Sequence, residues 1–171
     1  HVADYHAAER TFQLLTQAVG RAGRGQLPGQ AVIQTYDPEH FAIQTAKAQD
    51  YESFYQHEIA YRKMMHYPPI WNMLLVHCMG KNEQITQQTA QLMADKLQSA
   101  IKRSNRPVLL VGPADATIAK VNDIYRKVLY MKAADYQTLV ALKDALEQFG
   151  KKTNAFSNVT IQFDFNPSSG F

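Results

Sequence analysis

Two arginines three residues apart, Arg21 and Arg24, follow Gln17 in the stretch Gln17-Ala18-Val19-Gly20-Arg21-Ala22-Gly23-Arg24-Gly25. Residues at that spacing project from one side of a helix or tight turn. A guanidinium is permanently charged and donates in a planar fork that matches phosphate oxygens, so the pair can grip one phosphorylated ligand. The interleaved glycines let backbone approach without a Cβ clash and accept positive φ where a helix stops. Arg21 and Arg24, with Gly20 beside them, are therefore candidates to serve one nucleotide, behind Gln17. A glycine-arginine segment can instead be a flexible basic loop or an RNA-binding tract. The fuller pattern Q-x-x-G-R-x-x-R recurs by chance in roughly one in a thousand chains of this length.

A second cluster combines charge with aromatic faces: Lys120, Arg126, Lys127 and Lys132 surround Tyr125 and Tyr130. Cations compensate phosphates and rings stack on unpaired bases, so Lys120, Tyr125, Arg126, Lys127 and Lys132 form a candidate DNA contact. Period-two alternation sends Tyr125, Lys127 and Leu129 to one face of a strand and Arg126, Val128 and Tyr130 to the other, so one set is expected to cover core. His57, His66 and His77 form no pattern and read as ordinary surface or core histidines; no metal site is expected. Cys78 is the one cysteine, so neither a disulfide nor a cysteine zinc site can form within the chain, and its apolar neighbours predict a buried reduced thiol.

The elements that must position these groups follow from periodicity. Ala7 to Thr16 is helix-forming, with Ala8, Phe12, Leu15 and Val19 spaced by three and four, so the arginines sit where a helix ends. A strand is expected over Ala31 to Tyr36, then a helix with Asp37 as N-cap and Pro38 at its first position. Tyr51 to Met65 reads as a helix with an aromatic stripe, stopped by Tyr67-Pro68-Pro69. Beyond it come a strand from Trp71 to Met79, a helix from Glu83 to Arg103, a strand from Val108 to Val111 and another from Tyr125 to Met131. A helix capped by Asp135 runs to about Lys151, and Val159 to Phe165 is the last strand. This β-α-β-β-α-β order is the ferredoxin-like, split βαβ arrangement. The fold class is α+β, divided as residues 1–45, a helical connector at 46–70 and a C-terminal domain at 71–171.

The chain contains no G-x-x-x-x-G-K-[ST]; Gly150-Lys151-Lys152-Thr153 imitates only its end. The arginines would therefore complete a nucleotide site whose phosphate cradle lies upstream. The chain reads as a C-terminal fragment, inactive and without a bound cofactor on its own.

Q-x-x-G-R-x-x-R resembles motif VI of superfamily 2 helicases. The run from Asp4-Tyr5-His6 through Gly25, with Pro28-Gly29, Ile33-Gln34-Thr35-Tyr36 and Pro38-Glu39-His40, resembles the primosomal protein N-prime family, the PriA replication-restart helicases. Tyr61-Arg62, Tyr67-Pro68-Pro69, Gly112-Pro113, and Lys120-Val121-Asn122 leading to Tyr125-Arg126 extend the resemblance over nearly the whole chain. His1-Val2-Ala3 departs from it, and the family's phosphate loop, Asp-Glu box and paired-cysteine zinc sites are absent. The resemblance implies that residues 1–45 end a second RecA-like helicase lobe. It implies a parent that is an ATP-dependent DNA helicase, recognises stalled forks and promotes primosome assembly and replication restart. ATP, magnesium and zinc would be the parent's cofactors. Its partners would be branched and single-stranded DNA, single-stranded DNA-binding protein and other primosome proteins. Arg24 would be the arginine finger, Arg21 would hold phosphate or couple the lobes, and Gln17 would sense nucleotide or water; which arginine is the finger stays open. The rival reading is a non-enzymatic nucleic-acid or protein-binding module.

With 171 residues and 46% hydrophobic content, the chain can bury one core and a satellite. No apolar run is long enough to cross a membrane. A soluble, cytoplasmic protein is expected, without a secretory signal at the start. The formal charge of +3 is too small to establish nucleic-acid binding, so local clustering must carry it. A lobe cut from its partner strands is expected to expose apolar surface, leaving residues 1 to about 45 either poorly ordered or fixed by self-association with a neighbouring molecule.

Overall fold

The computed structural model describes residues 4–22 and 29–168. They divide into two units, residues 4–65 and residues 66–168.

The first unit contains α1 (Ala7–Ala22), α2 (Phe41–Ala48) and α3 (Tyr51–Met64). The stripe on α1 does what its spacing predicts. Phe12 is buried, and Ala8 and Leu15 pack partly buried against Ala42 and Ala46 of α2 and Phe54 of α3. The Phe12 and Phe54 rings stack 4.2 Å apart, and Phe41 lies 5.6 Å from Phe54. Two alanines facing α1 let short α2 come close enough for that stack.

Two expectations fail in this unit. Ala31 to Tyr36 forms no strand, and Val32 and Tyr36 are fully exposed. A strand needs a neighbour's N–H and C=O groups, and none of the described residues pairs with this segment. Asp37 does not cap the following helix. His40 is the N-cap of α2, its Nδ1 accepting the Ala42 N–H at 3.2 Å, while the Asp37 carbonyl accepts the His40 N–H at 3.3 Å. The Pro38-Glu39 pair is thereby spent on a turn before the helix begins. Asp50 caps α3, accepting from the Ser53 N–H at 3.0 Å and the Ser53 hydroxyl at 2.6 Å.

The second unit runs β1 (Asn72–Gly80), α4 (Glu83–Ser104), β2 (Val108–Val121), β3 (Ile124–Ala133), α5 (Tyr136–Thr153) and β4 (Thr160–Phe165). The four strands form one antiparallel sheet in the order β2-β3-β1-β4. Leu74, Val76 and Cys78 of β1 and Leu129, Met131 and Ala133 of β3 turn to the helices. There they meet Ala90, Met93 and Leu97 of α4 and Leu139, Leu142 and Leu146 of α5. Both helices thus cover the same sheet face. The Leu, Val and Met side chains among them contribute roughly 1.5–3 kcal/mol each on full burial. Asn82 and Asp135 cap α4 and α5, the latter as predicted, and Asn105 and Asn154 end them in the left-handed region.

β2 is much longer than the predicted Val108–Val111. Gly112-Pro113 reads in sequence as a stop, but β2 is an edge strand, where a missing N–H costs no ladder bond. The chain crosses the pair by register shifts between Val111 and Ala114 and between Asp115 and Lys120. Gly112 supplies a φ of +107°, and a side chain there would run into the Val128 carbonyl. The strand then turns through Asn122 and Asp123, both at positive φ, into β3.

Candidate functional site

The nucleotide-facing candidates occupy the exposed side of α1. Arg10, Gln13, Leu14 and Gln17 line a recess of about 360 Å³. Gly20 and Arg21 follow on exposed positions, Arg21 in the last turn, where its cation suits the helix dipole. Leu14 is 64% exposed within this polar row. Among the described residues nothing lies within 4 Å of where a Gly20 side chain would stand. Arg24, with Gly23 and Gly25, lies outside the described residues.

What holds α1 is a buried ionic knot that the sequence pattern did not single out. Arg62 on α3 donates from Nε to Glu58 at 2.8 Å and from Nη2 to Glu9 at 2.8 Å and the Tyr5 carbonyl at 3.3 Å. Burial opposes charge on Arg62, but the two carboxylates outweigh it and raise its pKa. Glu9 shows the converse: burial works against its charge, yet hydrogen bonds with His6 and Arg62 lower its pKa. His6 Nδ1 stands 2.9 Å from the same Glu9 oxygen, and Arg10 pairs with Asp4.

The hairpin of β2 and β3 carries the DNA candidates, and its cations are not alike. Lys120 pairs opposite Tyr125, lies 4.9 Å from that ring's centre and reaches Asp123 at 2.9 Å. Its pKa is raised, first by Asp123 and then by Tyr125. Lys127 meets Asp115 at 2.6 Å and is 13% exposed. Arg126 is half-buried, and among the described residues no carboxylate pairs with it. Lys132 stands apart from this group. It is buried over the Tyr67 ring at 3.7 Å, and desolvation lowers its pKa.

Alternation along β3 holds. Leu129 faces the helices, while Arg126, Val128 and Tyr130 lie on the other face beside Met79, His77 and Leu75 of β1. His77 is the neighbour that sequence reading set aside. Burial lowers its pKa, Arg126 lowers it further, and Asp164 of β4 partly offsets them. Strand register is the signal that brings His77 to Arg126, and register is invisible until the pairing is known. Cys78 is buried as expected, its thiol pushed up to about 11 by desolvation. Among the described residues no group of three His, Cys, Asp or Glu side chains could hold a metal ion, and no helix is long and apolar enough to cross a membrane.

Residues 63–168 match the family model described as the primosomal protein N C-terminal domain. An open arginine-bearing helix and a mixed α/β unit with a basic hairpin thus occur in one chain, and the chain belongs to the PriA family. It is 38% identical over 98% of its length to the replication restart protein PriA of Bacillus subtilis (strain 168). It is 36% identical over 98% to that of Synechocystis and 34% identical over 86% to that of Thermotoga maritima. The chain spans about a fifth of the length of these relatives, 20%, 19% and 19% respectively.

Proposed function

We propose that this chain is the C-terminal part of an ATP-dependent DNA helicase that acts at stalled replication forks and promotes primosome assembly. The observation that carries this reading is the Q-x-x-G-R-x-x-R motif, opening on the exposed end of α1, in a chain related to replication restart proteins. On this reading α1 closes a second RecA-like lobe, and residues 66–168 form a ferredoxin-like domain with the strand order β2-β3-β1-β4. An arginine directed at the γ-phosphate stabilises charge that builds up there during phosphoryl transfer, while the phosphate cradle and magnesium come from upstream sequence. Arg24 or Arg21 supplies that charge and Gln17 senses nucleotide or water. Branched and single-stranded DNA, single-stranded DNA-binding protein and other primosome proteins are the proposed partners of the whole protein, with ATP, magnesium and zinc its proposed cofactors.

The test is kinetic. In the full-length parent, Arg24→Ala is expected to lower DNA-stimulated ATP turnover on the order of a thousandfold, the range for arginine fingers, with affinity for forked DNA retained. Arg21→Ala separates the two assignments: the larger loss identifies the finger. Equal loss of turnover and DNA binding would make the segment a basic DNA arm instead. The non-enzymatic alternative rests on Arg126, a guanidinium on the hairpin without a carboxylate partner among the described residues. It would be favoured if the parent bound forks but did not hydrolyse ATP.

A further inference from the structure

The Nε and Nη2 of Arg62 are the two parallel donors on one edge of a guanidinium, and that edge fits both oxygens of a single carboxylate. Here it is divided between two acids, with the Tyr5 carbonyl also accepting from Nη2 at 3.3 Å. Nε goes to Glu58 Oε1, one turn back on α3, and Nη2 goes to Glu9 Oε2 on α1. The Arg62 and Glu58 side chains are each only 8% exposed. Among the described residues, Glu58 Oε2 is left buried without a hydrogen-bond partner. Buried acceptors are nearly always satisfied, so one beside a divided donor edge is an exception that needs a reason.

Two arrangements of the same three side chains explain it. In the first, Nη2 holds Glu9 and ties α1 to α3. In the second, Nη2 closes on Glu58 Oε2, the fork becomes bidentate on Glu58, and Glu9 keeps His6. We propose that Arg62 is a positioning residue for α1 and that competition between Glu9 and Glu58 for its Nη2 makes the α1–α3 contact two-state. Gln17 and Arg21 lie farther along the same helix, about 12 and 18 Å from Glu9 at 1.5 Å per residue. Release at Glu9 lets that end pivot about the Phe12–Phe54 stack. The consequence for a nucleotide rests on the function proposed above; the divided fork does not.

The two carboxylates touch the same guanidinium, yet their removal has opposite effects on α1. Hydrogen exchange of the α1 amides in the 171-residue chain reads this directly. Glu9→Gln is expected to speed exchange about tenfold, and Glu58→Gln, which removes the competitor, to slow it about threefold. In an Arg62→Lys background, where one ammonium presents no parallel edge, the Glu58→Gln effect should vanish. Faster α1 exchange in both single variants would overturn the proposal and leave an ordinary stabilising ion pair, as would an unchanged rate in Glu9→Gln. Exchange in α3 distinguishes a general loss of helical packing, which also counts against it. In the full-length parent, Glu9→Gln should lower kcat for DNA-stimulated ATP hydrolysis with KM for ATP unchanged. A parent with no ATP turnover at all would sink the proposed function while the exchange signs still decide the fork.

Discussion

Arg62 and the pair Arg21 and Arg24 illustrate how unevenly single residues declare themselves. The arginine motif is local, so its chemistry can be read from nine consecutive letters. The knot at Arg62 joins residues 53 positions apart in sequence. Only its Glu58–Arg62 half, at helical spacing of four on a packed face, leaves a trace in the sequence. His77 shows the same limit in a sheet. Its setting depends on Arg126 and Asp164, brought from two other strands, and yields a pH effect with a definite sign. The folded state holds His77 neutral, with a pKa below the ordinary 6.5. Above that value unfolded histidine is neutral too, and the full stability is present. As the pH falls through 6.5 toward the depressed folded value, the unfolded chain takes up the proton first and stability is lost. Urea unfolding between pH 7.5 and 5 should show a smaller loss of midpoint for His77→Gln than for the parent sequence. Equal slopes would show that His77 titrates alike in both states.

Among elements, the central strands were the most legible and the edge strand the least. β1 and β3 pair without interruption, so an apolar run maps onto one strand. β2 crosses Gly112 and Pro113 by register shifts, which composition alone reads as an end. The segment from Ala31 to Tyr36 errs the other way, because β-forming residues without a partner make no strand. If the hairpin built from β2 and β3 contacts DNA, its cations come free at different cost. Lys120 must exchange Asp123 for phosphate, Lys127 must leave Asp115, and Arg126 has no carboxylate to give up among the described residues. Arg126→Ala together with Lys120→Ala should therefore weaken fork binding and flatten its dependence on salt, while Asp123→Asn strengthens it by removing a competing anion. Unchanged affinity and salt slope in the double variant would remove the hairpin from the DNA surface. Lys132, buried over Tyr67, should alter stability rather than salt slope when replaced.

At the scale of the whole molecule, the described residues include apolar clusters built from separate stretches of chain: Phe12, Ala42, Ala46 and Phe54 in one, and the sheet with α4 and α5 in another. The helix and strand periodicities made the second core readable in advance. The first depends on α1 and α2 meeting across residues whose sequence suggested a strand. The described members of the sheet-and-helix cluster all lie within residues 66–168, so residues 66–171 alone should keep the unfolding transition that this unit shows in the whole chain. Loss of that transition on truncation would mean that the first unit is needed to hold the sheet. The strand order also sets a timetable for synthesis. β1 receives β3 on one side, but β4 on the other, and the β4 ladder joins Met79 to Thr160. At about 5–20 residues per second, the roughly 80 residues between them take about 4–16 s to leave the ribosome. Throughout that interval Leu74, Val76 and Cys78 have an open strand edge beside them, so a nascent chain stalled before Ile161 would be an attractive client for chaperones that bind exposed apolar strands.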